Sequence, residues 1–156
     1  MYVLLLAVLQ WLHVFFGIFW FGSVLTMDFI VVPAIQSVPP AVRQAFGGAL
    51  AKRAPMVITQ VAGTTILLGL VRGIASGVLG VLGSPYGLTW IASFVLGVGL
   101  MVFGLRVMTP AADKVRLAGQ GPDFEAALAR IKRLSISELG GFIVILVFMI
   151  AMRFGY

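Results

Sequence analysis

A chain of 156 residues that is 61% hydrophobic and only 10% charged is too apolar for a soluble domain, which is about half apolar. It has no cysteine, which excludes disulfides, thiolate metal sites and iron–sulfur clusters. The net charge of +6 reads as loop charge that sets membrane orientation, so the expected surroundings are a lipid bilayer and no nucleic-acid partner is expected.

Four runs reach the roughly 20 apolar residues a membrane span needs. The first, 2–32, carries no Lys or Arg and far exceeds the roughly 7–15 residues of a signal-peptide core. It is expected to be a span rather than a cleaved signal, stopped by Pro33. The second is expected over 55–82, with Pro55 in its first turn and Gly83-Ser84-Pro85 as its stop. The third is expected over 88–108, ended by Thr109-Pro110. In about 111–134, which contains DFEAALARIKRL, apolar residues recur at helical spacing and predict an amphipathic helix on the cytoplasmic membrane surface. The fourth span is expected over 137–154, where Ser135 and Glu138 fit a capping box at its start. The fold class is all-α: a transmembrane four-helix bundle forming one domain over 1–156.

Basic residues are unevenly placed. Arg43, Lys52 and Arg53 lie between the first two spans, and Arg106, Lys114, Arg116, Arg130, Lys132 and Arg133 between the last two; the other face has only Arg72 and Arg153. The positive-inside rule assigns the larger group to the cytoplasm and both termini to the non-cytoplasmic side, for a multi-pass protein of the cell inner (plasma) membrane. Gly69, Gly73 and Gly77 recur every four residues, with Gly97, Gly104 and Gly140-Gly141 as further points of close approach. This small-residue face predicts helix contact within one bundle, with a homodimer or a larger membrane complex as the alternative.

The single histidine, His13, sits inside the first apolar run, where an imidazole needs a partner. At about 1.5 Å per residue, it lies about 30 Å before Pro33, toward the outer leaflet. The same ruler brings Arg72, Trp90, Ser93, Met149, Met152 and Arg153 to this depth, with Gln10 one turn beyond. Three readings fit that layer. His13 is hydrogen-bonded to a carbonyl or to Ser93 as a packing residue, with Arg72 reaching for the outer head groups. Or it is an axial ligand of haem b, with Met149 or Met152 opposite and Arg72 or Arg153 on the propionates. Or it shares a copper path with the methionines. A stripe of His13, Phe16, Gly17, Trp20, Val24, Met27 and Asp28 could line a macrocycle or be bundle core. Asp28 is expected to pair with Lys52, Arg53 or Arg106 at the inner face.

No enzyme constellation is visible: there is no Cys–His pair, P-loop, Gly-x-Ser-x-Gly or Gly-x-Gly-x-x-Gly. The stretch LHVFFGIFWFG…VVPAI, with Trp20 seven residues and Pro33 twenty residues after His13, resembles the first helix of the CopD (copper-resistance D) membrane domain and of the HemJ-type protoporphyrinogen oxidases. AKRAPMVITQVAGTTILLGL, YGLTWIAS and RLSISELGG resemble their second, third and fourth helix entries, so the likeness covers most of the chain. It implies a four-helix membrane bundle in which His13 is the haem- or metal-binding histidine. These families carry a lysine in the third helix where this chain has Ser93, so the resemblance extends to the fold and the ligand but not to protoporphyrinogen oxidase activity. The resulting expectation is haem b binding for electron transfer or haem handling. The alternatives are a structural accessory subunit without a cofactor, or copper passage.

Overall fold

In the computed structural model, residues 1–118 and 121–156 are described. Four long helices account for nearly all of them, and no strand occurs among the described residues. They are α1 (Tyr2–Gln36), α2 (Pro40–Ala75), α3 (Pro85–Leu117) and α4 (Pro122–Arg153), each long and apolar enough to cross a membrane. The bundle runs up and down, so both termini and the α2–α3 connection share one end, here the upper end. The α1–α2 and α3–α4 connections lie at the lower end. A short 3-10 turn, Val78–Val81, closes the upper connection, where Gly77 at φ 85° supplies the left-handed residue after α2. Ser84 caps α3 by accepting from the Gly87 amide at 3.2 Å. Gly87 has no room for a side chain, because a Cβ there would strike the Val81–Leu82 backbone.

The helices are longer than the sequence reading expected, and prolines are the reason. Pro33 does not end α1. A π-helical turn over Met27–Val31 loosens the backbone ahead of it, and the helix runs on through Val32–Gln36. Pro110 is passed in the same way after a π turn over Gly104–Met108, and α3 continues to Leu117. Pro55 stands inside α2, which begins fifteen residues earlier at Pro40 and ends at Ala75, not at 82. Membrane helices tolerate such prolines where neighbouring groups satisfy the freed carbonyls. Each of α2, α3 and α4 also starts with a proline in its first turn, where the missing N–H costs nothing.

Segment 122–134 is not a separate surface helix. It is the first third of α4, unbroken to Arg153. Its apolar residues Phe124, Leu128 and Ile131 are buried with Ala111 of α3 in a small core of their own, and the Arg43 guanidinium lies 4.5 Å over the Phe124 ring. Helices of 32–36 residues are about 48–54 Å long, against a hydrocarbon core of about 30 Å. The helices are therefore longer than the apolar layer is thick, and at the lower end α3 and α4 pack as a helical extension around the Ala111, Phe124, Leu128 and Ile131 core. The main core lies between the ends: Trp20, Val24, Val61, Ala62, Leu100 and Phe142, with Trp20 edge-on to Phe142 at 5.0 Å between ring centroids.

Candidate functional site

The layer around His13 is a cavity of about 660 Å³ in the upper half of the bundle. His13, the residues matched to its depth from the sequence (Arg72, Trp90, Ser93, Met149 and Met152) and Trp20 of the α1 stripe line it together, as do Gln10 and Arg153. Constant helical rise is what brings them to one level. What depth could not supply is the bond that orients the imidazole.

His13 Nδ1 lies 2.9 Å from the Thr65 carbonyl oxygen of α2. A carbonyl can only accept, so Nδ1 carries the proton and donates it. The neutral ring then holds its lone pair on Nε2, which has no hydrogen-bond partner among the described residues. The bond goes to a main-chain oxygen, not to Ser93, whose hydroxyl is turned back to the Thr89 carbonyl at 2.8 Å. Gly69, one turn above Thr65, makes the approach possible. A Cβ there would stand 2.8 Å from His13 Cε1 and 3.1 Å from Nδ1. One turn further, Gly73 receives the Trp90 indole, and a Cβ at 73 would overlap it.

The glycine face of α2 is thus spent inside the bundle, on the His13 ring and the Trp90 ring. Gly77 lies beyond the helix end. Thr65 was not singled out in the sequence. The available signal was its spacing of four from Gly69, the first member of the glycine series.

Arg72 lines the cavity with its Nε buried and without a partner. Phe21, Phe94 and Phe142 add aromatic wall, and Gly17 and Gly97 add flat wall. Polar groups sit at the margin of an apolar interior, the composition of a small-molecule or cofactor site, whose volumes run roughly 300–1,000 Å³.

A second cavity, of about 230 Å³, lies in the lower half, below the Trp20–Phe142 layer. Asp28 and Glu138 line it, and both depart from expectation. Asp28 makes no ion pair with Lys52, Arg53 or Arg106. The ion pair among the described residues is Arg116–Asp113, at 3.1 Å. Instead Ser135 Oγ donates to Asp28 Oδ1 at 2.8 Å. Ser135 and Glu138 do not form a capping box, because α4 runs straight through them; both are buried against the other helices. No group of three or more His, Cys, Asp or Glu side chains is placed to hold a metal ion among the described residues.

The fold and its cavities define a class, a multi-pass helical bundle with a one-histidine pocket. No protein-family model matches the chain, and no curated protein or solved structure shows significant similarity to it.

Proposed function

We propose that this protein is a CopD/HemJ-like membrane bundle that binds haem b in the upper cavity, for electron transfer or haem handling. Its upper end, with both termini, faces the non-cytoplasmic side of the cell inner membrane. The observation that carries the reading is the His13 Nδ1–Thr65 bond. It fixes the tautomer and leaves Nε2 as the donor atom on a cavity wall, the arrangement in which histidines ligate metals.

The rest of the donor set fits the group. Trp20, Trp90 and Phe94 offer aromatic faces. Met149 or Met152 would hold the group through its thioether alongside His13. Arg72, with a buried donor lacking any partner, and Arg153 suit the two propionates. Bound haem would supply a one-electron couple whose potential its second axial ligand tunes. The chain's own part is to hold the imidazole, exclude water and neutralise the carboxylates. Ser93 in place of the family's lysine leaves protoporphyrinogen oxidase activity outside the proposal. The orientation rests on the nine basic residues at the lower end against Arg72 and Arg153 above.

A second reading is favoured by the same bond: His13 is already satisfied at Nδ1, as a packing residue in a cofactor-free accessory subunit would be. Copper passage through the cavity would rest on His13, Met149 and Met152 alone. Titrating the purified protein with haem b separates these readings. A shifted Soret band, lost in His13→Ala and altered in either Met149→Leu or Met152→Leu, supports haem binding; Leu keeps the volume and removes the sulfur. A wild-type protein that leaves the haem spectrum as it is in detergent alone refutes it and leaves the structural-subunit reading.

A further inference from the structure

The lower cavity holds the chain's two most deeply placed acids without a counter-charge. Glu138 is 6% exposed, lines the cavity and makes no hydrogen bond among the described residues. Asp28 Oδ1 accepts from Ser135, while Oδ2 is buried with no partner among the described residues. Ser135 and Glu138 are three residues apart on α4 and so share one face.

The charged side chains that line this cavity are Asp28 from α1, Arg43 from α2, Asp113 and Arg116 from α3, and Glu138 from α4. Arg116 is bound to Asp113, and Arg43 is stacked on Phe124, so neither neutralises the deep pair. An uncompensated carboxylate in a dry interior costs several kcal/mol, and such groups neutralise instead.

The backbone points the same way. Pro55 lines this cavity, and so do Val32, next to Pro33, and Thr109, next to Pro110. Each proline withholds one amide donor from its helix, and before Pro33 and Pro110 the backbone responds with a π turn. Irregular backbone such as these π turns is tolerated at membrane depth where it lines a cavity. Gly104, opening the π turn of α3, stands beside Glu138, whose Oε1 would be 3.8 Å from a Cβ there.

We propose that Asp28, Ser135 and Glu138 form a proton-binding site in the lower half of the bundle, loaded from water at the lower end. The bound proton sits on a carboxyl oxygen of the pair, with the Ser135 hydroxyl hydrogen-bonded to Asp28 beside it. The way in is marked by Asp113 and Arg116, whose side chains are 42% and 33% exposed and line the same cavity. A proton fits better than a metal cation. The side chains here offer two carboxylates and one hydroxyl, fewer than the six to eight oxygens that Ca²⁺ takes, and two guanidiniums flank the entrance. This site is independent of haem: at about 1.5 Å per residue, Asp28 lies about 22 Å along α1 from His13, with the Trp20–Phe142 layer between.

Infrared difference spectroscopy of the protein in lipid nanodiscs, titrated from acid to alkaline pH, tests it. The expected result is a protonated-carboxyl C=O band that disappears on titration and downshifts in D₂O. It should be lost or halved in Glu138→Gln and in Asp28→Asn, shifted in frequency in Ser135→Ala, and unchanged in Asp113→Asn. Ser135→Ala guards against misfolding of the acid variants, since it removes one hydroxyl and keeps both acids. No band in wild type, or a band that survives both acid substitutions, overturns the proposal. So does removal of the band at fixed pH by sodium or calcium ions, which would make the site a metal-cation site.

Discussion

Replacing Gly69 with alanine adds one methyl group where α2 presses against the His13 ring. The new carbon would lie 2.8 Å from His13 Cε1 and 3.1 Å from Nδ1, so the ring must move. The ring is not free to move at no cost, because Nδ1 is bound to the Thr65 carbonyl at 2.9 Å and retreat from α2 stretches that bond. Losing it costs about 0.5–1.5 kcal/mol, and overpacking a filled site costs about 1–3 kcal/mol. Against this stands the helix preference of Ala over Gly, about 1 kcal/mol. The net is destabilisation of about 1–3 kcal/mol. Gly99→Ala is the control, since it lies on α3 with nothing within 4 Å of its Cβ; it gains the preference and incurs neither cost. At about 2–4 °C per kcal/mol for a chain of this length, the two variants should differ in Tm by roughly 5–15 °C, with Gly69→Ala the lower. Tryptophan fluorescence during heating in detergent reads this directly. Equal melting of the two refutes the claim that the imidazole is pressed against α2. If haem binds, Gly69→Ala should also weaken it by about 10–100-fold, the usual effect of disturbing a ligand's supporting hydrogen bond.

A reporter fused after Tyr156 should be active on the non-cytoplasmic side, and cytoplasmic activity would invert the assignment of the upper end. Phe124→Ala should lower the stability of the lower helical extension by about 3 kcal/mol, because Phe124 is 7% exposed and supports Arg43. Faster hydrogen exchange over 122–134, with the upper half unchanged, is the expected readout; unchanged exchange would mean that this segment lies on the membrane surface instead.

The upper site was legible because its geometry depends on one constant. In a straight helix the rise per residue does not vary with side chain, so residues counted from opposite ends of four spans reach the same level. His13, Arg72, Trp90, Ser93, Met149 and Met152 were matched in this way. The orienting bond was not legible, because its acceptor is a main-chain oxygen and every residue has one. Only the spacing of Thr65 from Gly69 hinted that this carbonyl was reachable.

The lower half was misread for the opposite reason. From the sequence, Pro33 and Pro110 read as helix stops and Pro55 as a first-turn residue, which are the places proline takes where water can satisfy the freed carbonyls. Here two π turns absorb the missing donors and the helices pass through, so the lower boundaries moved by many residues. The same error hid the acids. Ser135 and Glu138 match a capping box in spacing, and a cap is a local device that needs a helix to begin there. Once α4 is known to start at Pro122, the two side chains have no helix end to serve and must find partners across the bundle. Ser135 finds Asp28, on a helix 107 residues away in sequence, and Glu138 finds none. A pattern with a good local explanation can therefore conceal a buried tertiary pair. The observation that separates the two cases is whether the chain before the pattern already has the periodicity of a helix. Phe124, Leu128 and Ile131, spaced by four and three, already carried that periodicity up to Ser135.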